Sequence, residues 1–111
     1  MRYDTPAIIA AIQAAVVAAN EADALDPEDG GTCNMDSAYL RVKGMQQKQA
    51  QEIIDAVKPV TVVLQDYSWH GRVLMILHSH GQANRRARMC EAAYKSLTAS
   101  GLPCGQYLQM D

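Results

Sequence analysis

Three arginines stand in the run Gly81-Gln82-Ala83-Asn84-Arg85-Arg86-Ala87-Arg88. An apolar run, 73–77, precedes it and a helical pattern, 89–99, follows. The run therefore reads as the start of a helix. A helix N-terminus carries about half a positive charge, and a cation there is disfavoured by roughly 0.3–1 kcal/mol. Stability alone would place Asp or Glu in that turn. Free backbone N–H groups and positive side chains together attract an anion, most often a phosphate. Arg85 and Arg88 are three apart and share a helix face, so both can reach one ligand. Arg86 is directed elsewhere, toward a partner chain or an acidic loop. Asn84 either caps the helix or contacts a base or ribose. The alternative for the whole turn is a solvated face with Arg88 paired to Glu91.

Other reactive residues carry weaker patterns. His78 and His80 alternate on a strand and could form half of a metal site, but no CxxC or HExxH spacing supplies the rest. Cys33 and Cys104 lack a nearby His or Asn signature for a nucleophile. Asp36 and Asp66 have no spacing that suggests an acid–base pair, and neither a P-loop nor Gly-x-Ser-x-Gly is present. No catalytic group and no metal site is expected. Trp69, in a turn beside His70, either packs or forms a stacking platform for a base.

The elements that must position these residues follow the order α-β-α-β-β-α-β. Thr5 is a good N-cap and Pro6 a good first residue for a helix to about Ala22, with Ile8, Ile9, Ile12 and Val16 at helical spacing. Residues 32–43 alternate: Ala38, Leu40 and Val42 share one side, and Ser37, Tyr39, Arg41 and Lys43 the other. Met45, Ala50, Ile53, Ile54 and Val57 mark a second helix, stopped at Lys58-Pro59. A β-branched strand, 60–67, a turn, 68–71, and a returning strand, 72–79, make a hairpin. The third helix covers about 82–100, with Gly101 and Pro103 as its stop, and 104–110 is a last strand. The fold class is α/β (α+β): about four strands in a mixed sheet, with helices on one face. Two helical crossovers imply some parallel pairing. The other face would stay open and carry Tyr39, Arg41, Arg72, Leu74, His78, Tyr107 and Gln109. Such a face commonly dimerises or binds a ligand.

Bulk properties narrow the partners. The 111 residues suit one domain, 1–111. Hydrophobic residues make up 49% and charged residues 20%, as in soluble globular proteins. A net charge of −2 disfavours long nucleic acid, which usually selects a basic excess. Three cysteines without paired spacing fit a reducing compartment. The Ala/Ile/Val-rich segment 7–19 is read as a packed helix rather than a secretion signal, and as too short to span a membrane.

Two segments carry a resemblance: Gly30-Gly31-Thr32-Cys33-Asn34-Met35-Asp36-Ser37 entering a strand, and Gly81-Gln82-Ala83-Asn84-Arg85-Arg86 opening a helix. Together they resemble the phage Thoeris anti-defence sponge family, first type, over about residue 30 to the end. The sequence departs from that family in having no phenylalanine and in carrying Met35 where an aromatic residue is expected. The resemblance implies a non-enzymatic protein that sequesters cyclic nucleotide signals of bacterial immunity. These include cyclic ADP-ribose isomers made from NAD by TIR-domain proteins. Some family members also hold cyclic dinucleotides or trinucleotides at a separate site of a hexamer.

That family's ligand pockets lie at a dimer interface, and here the carry-over rests on Asn84 and the neighbouring arginines. The combined expectation is that Asn84, Arg85 and Arg88 hold phosphate or ribose. Arg41 and Tyr39 would help from the open face, and Trp69 or Tyr107 would stack on the base. The protein would be a homo-oligomer, dimer or hexamer, in the host bacterial cytoplasm, without a cofactor, a metal or a membrane partner. A small nucleic-acid-binding module and a host-protein interaction domain are the rival classes.

Overall fold

A computed structural model of the chain describes residues 3–25, 37–67, 71–77 and 83–107; for 23–25, 67, 83–88 and 107 it describes the backbone alone. The elements are α1 (Thr5–Leu25), β1 (Ser37–Arg41), α2 (Gln47–Ala56), β2 (Thr61–Tyr67), β3 (Gly71–Leu77), α3 (Ala83–Ala99) and β4 (Cys104–Tyr107). Their order is the expected one, and the helices pack on one face of a four-stranded sheet.

The strand order is β2-β3-β1-β4, and all three pairings are antiparallel. The expected mixed sheet is thus corrected. A helical crossover requires only that its two strands run the same way, not that they be neighbours. β1 and β2 run alike with β3 between them, and β3 and β4 run alike with β1 between them. This is the split β-α-β-β-α-β topology of ferredoxin-like folds, with α1 added before it.

Ala38, Leu40 and Val42 of β1 and its exit meet Val62, Leu74 and Ile76 under the helices. Ala50, Ile53 and Val57 of α2 and its end close over them, with Met89, Cys90, Ala93 and Leu97 of α3. From α1 the buried residues are Ile8, Ala11, Ile12, Ala15 and Ala19. That i, i+3, i+4, i+7 stripe is helical, but it is turned from the expected one: Ile9 and Val16 are only half-buried. Alanines on the inner stripe let α1 lie close along α3, since interaxial distance follows side-chain size.

Over Thr5–Ala22, α1 reaches a mean hydropathy of 1.3 and is long and apolar enough to cross a bilayer. The expectation that the segment is too short is corrected. Its inner stripe nevertheless belongs to the core. The radius of gyration, 13.4 Å, matches about 13 Å for one packed domain of this length.

Capping differs from expectation at one end and agrees at the other. Asp4, not Thr5, caps α1, its carboxylate accepting the Ala7 N–H (3.2 Å). Thr5 Oγ1 instead accepts from Gln49 Nε2 (2.9 Å), which also donates to Tyr3 O (2.8 Å). Gly101, at φ +81°, follows the end of α3 in the left-handed conformation that glycine adopts without strain.

The helix-free face is not the open polar surface expected. Ser37, Tyr39, Val73 and Met75 are all buried, with Val63 packed against the last three. Residues directly opposite in an antiparallel ladder share a face. The register Tyr39↔Met75 and Arg41↔Val73 therefore puts Val73 and Met75 beside Tyr39. Arg72 and Leu74, expected there, belong to the helix side. Tyr39 lies across Gly105, its directly paired residue on β4. A methyl group at 105 would stand 2.5 Å from the Tyr39 hydroxyl oxygen and 2.6 Å from Cζ.

Candidate anion-binding site

α3 begins at Ala83, so Asn84, Arg85, Arg86 and Arg88 occupy its first two turns, and its first turn holds no acidic residue. Backbone placement agrees with the expectation; the side chains of 83–88 lie outside the description. Glu91, the partner read for Arg88 in the alternative, has its Oε1 3.3 Å from Lys95 Nζ.

Topology fixes which candidates share an end of the domain. β3 ends at Leu77 opposite Thr61 and beside the start of β1, and the chain then enters α3. α3 must travel back to the start of β4, which pairs with Leu40 near the end of β1. Its 17 residues span about 25 Å. The arginine turn therefore lies at the end where β1 starts. Position 107, paired with Ser37, lies at that same end.

Arg41 lies at the other. Four residues of strand, about 13 Å, separate it from Ser37, and its N–H donates to Pro103 O (2.9 Å) past the end of α3. Its side chain is exposed. Trp69 lies outside the described residues, but the pair Tyr67↔Gly71 that flanks it in the chain is at the Arg41 end too. Tyr39 sits in the middle of the sheet, 4% exposed, and offers almost no surface to a ligand in this conformation. The seven candidates therefore do not form one site within one chain.

The same topology supplies the arginine turn with a neighbour. Tyr3 and Ile8 line a crevice with Leu102 and Pro103, so the start of α1 meets the end of α3. The two helices pack along their lengths. α1 therefore runs antiparallel to α3, and its last turns, bearing Glu21 and Asp23, reach the end where the arginines start. Acidic residues at a helix C-terminus are as unfavourable as cations at an N-terminus.

Arg72 shows how a cation near a helix start can be structural. Its Nε and Nη2 donate to the two oxygens of Asp66 (2.9 and 3.3 Å), and Nη1 donates to Met45 O (2.8 Å). The hydrogen bond from Arg72 holds the Asp66 carboxyl below its ordinary value and raises the guanidinium. Asp55 is likewise lowered, first by the Gln51 side chain and then by Lys58, at 3.2 Å.

Sequence reading passed over a second helix start. Gln46 precedes α2 with no side-chain cap, Lys48 occupies a first turn without acidic residues, and Lys43 lies just before it. The absence of Ser, Thr, Asp or Asn before Gln47 was the available signal.

The crevice between Tyr3, Ile8, Leu40, Arg41, Val42, Leu102 and Pro103 has a volume of about 20 Å³, room for a single water at most. Among the described residues no three His, Cys, Asp or Glu come together as metal donors. The histidine pair 78/80, Cys33 and Asp36 lie outside them, as does Gln109. Cys90 is buried and Cys104 half-buried, with Thr98 Oγ1 3.4 Å from the latter's sulfur.

No known protein family matches the chain, and neither a curated protein nor a solved structure is significantly similar to it.

Proposed function

We propose that the protein is a non-catalytic sponge for a cyclic nucleotide signal, of the cyclic ADP-ribose class or a cyclic di- or trinucleotide. The supporting observation is the α3 start: Asn84, Arg85 and Arg88 within two turns of a helix N-terminus whose first turn has no acid. The resemblance of 30–37 and 81–86 to the Thoeris anti-defence sponges supplies the ligand class. Binding would counter bacterial anti-phage defence in the host cytoplasm.

Asn84, Arg85 and Arg88 hold phosphate or ribose. Position 107 is at the same end by register but, opposite Ser37, on the helix-free face, so Tyr107 stacks on the base only from a second copy. Arg41 and Trp69 join that pocket only from a second copy, so a homo-oligomer, dimer or hexamer, is part of the proposal. Tyr39 supports the sheet behind it. A ligand of roughly 35 non-hydrogen atoms at about 0.3 kcal/mol each reaches about 10 kcal/mol, or tens of nanomolar. That affinity suits stoichiometric capture and requires no catalytic group.

The topology favours one rival, since single-stranded RNA is read by stacking on exposed aromatics of such four-stranded sheets. Burial of Tyr39, Val73 and Met75 on that face, and the net charge of −2, count against it. Calorimetry with cyclic ADP-ribose isomers and cyclic dinucleotides tests the proposal. Heat and a thermal shift with at least one support it; neither with any of them overturns it. Salt-sensitive binding of RNA instead would favour the nucleic-acid rival, and recovery of one stoichiometric host protein the interaction domain.

A further inference from the structure

The sheet has two edges, β2 and β4. One bond fixes how the backbone of β2 is directed. Val42 N–H donates to Arg72 O (2.8 Å), so Arg72, Leu74 and Ile76 turn their main-chain groups toward β1. By alternation Gly71, Val73, Met75 and Leu77 turn theirs toward β2. Their partners Thr61, Val63, Gln65 and Tyr67 are bonded inward. Val62, Leu64 and Asp66 are thereby left directing N–H and C=O away from the sheet, and among the described residues no strand lies beyond them.

The two edges differ in their protection. Among the described residues β4 has four, and shortness itself blunts an edge. β2 has seven, TVVLQDY, in unbroken register with β3, without the bulge, lysine or proline that keeps edges apart. At 3% exposure Val62 is closed off, so the open stretch begins at Leu64, with Gln65 and Asp66 exposed.

That stretch is complementary to itself. In an antiparallel pair centred on Gln65, Leu64 of one chain faces Asp66 of the other, and Gln65 faces Gln65. The outward groups of Leu64 and Asp66 meet as hydrogen-bonded pairs, and no like charges stand opposite each other. The single charge, Asp66, is already held by Arg72.

We propose that the β2 edges of two copies pair about Gln65 and join two sheets into one. This deepens the homo-oligomer part of the proposed function and does not depend on the ligand. Sedimentation of the full chain without nucleotide, over a concentration series, tests it. A dimer is expected. Gln65→Lys sets two ammonium groups opposite each other and should weaken it up to about fivefold, while the exposed site leaves the melting curve of the monomer unchanged.

Paired Cα atoms at a non-hydrogen-bonded position lie about 4.5 Å apart, inside the disulfide range of roughly 4.4–6.8 Å. Gln65→Cys should therefore cross-link to itself under mild oxidation. The parent chain, with its own three cysteines, and Glu52→Cys on the exposed side of α2 should not. A monomer at every concentration, or an oligomer indifferent to Gln65→Lys, overturns the proposal. A dimer that binds no nucleotide leaves it standing and removes the sponge.

Discussion

At the end of the sheet where β1 stops, polar groups find their partners within the fold. Tyr3 OH donates to Lys43 O (2.6 Å), Gln49 joins Tyr3 and Thr5, and Arg72 spans Asp66 and the Met45 carbonyl. At the opposite end the first two turns of α3 gather three arginines, with no acid in the first turn. What offsets them comes from another element, the acidic end of α1, or from a ligand. Arg72 and Arg85 are equally conspicuous in the sequence. The first is absorbed by a carboxylate six residues away across a hairpin; the second stands where the helix dipole opposes it. A cation near a helix start therefore indicates a ligand only after its intramolecular partners are known.

The largest test breaks the helix pair that joins the two ends. Ile12 is fully buried between α1 and the rest of the core. Ile12→Ala should cost about 2–5 kcal/mol in urea unfolding. A loss below about 0.5 kcal/mol would mean that α1 does not belong to the cooperative unit, and the acidic end of α1 would lose its fixed place beside the arginines.

Next comes the contrast itself. Arg85→Ala and Arg88→Ala should each weaken nucleotide binding by roughly 1.5–3 kcal/mol, read by calorimetry. Arg41→Ala, at the other end, should weaken binding only through a second copy, and no loss would mean that one chain builds the pocket alone. An equal loss on Arg41→Ala would place the ligand between two chains. If all three variants bind like the parent, the site lies elsewhere.

Gly105→Ala probes the sheet between the ends. The new methyl group meets the Tyr39 ring, and overpacking of this kind costs typically 1–3 kcal/mol. Tyr39→Leu in the same chain should recover part of that cost. If the two changes add without interaction in a double-mutant cycle, Tyr39 does not lie over Gly105.

Smaller still is the effect of the arginines on stability. Without a neighbour, Arg85→Ala should stabilise the helix by roughly 0.3–1 kcal/mol. A destabilisation of similar size in thermal melts would show that the α1 acids already neutralise the turn.

The last effect is acid sensitivity at the tied end. The folded pKa of Asp66 lies below its unfolded value, so the Arg72–Asp66 pair stabilises the fold above the unfolded pKa. That contribution disappears as pH falls below about 4 and through the lowered value. In a stability–pH titration Arg72→Ala should flatten the acid limb; an unchanged limb would show that the pair adds nothing, as exposed pairs often do.

Much of the fold was legible because local patterns agree with it. Ala38, Leu40 and Val42 alternate, Ala50, Ile53 and Val57 recur at helical spacing, and Gly101 stops α3; each pattern is short-range and survives packing. The phase of β3 was not legible. Its run Val73 to Leu77 is apolar at every position, so nothing in it tells which side faces the helices. The parallel pairing also failed, because spacing along the chain sets the direction of a strand but not its neighbour. Of the site, the α3 start was legible from charge and helix period alone. Its separation from Arg41 depends on contacts between distant residues, and the binding of Arg72 to Asp66 on the register of the β2–β3 pair.

The sequence by itself determined where the elements lie, which helix start bears the arginines, and that the chain is slightly acidic overall. Period, capping chemistry and charge are properties of neighbouring residues, so they act before any long-range contact forms. Tertiary structure alone decided the antiparallel order β2-β3-β1-β4, the burial of Tyr39 over Gly105, and the two ends between which the candidate residues divide. It also laid α1 antiparallel along α3. These depend on which surfaces pack best together, a choice made by the whole chain at once.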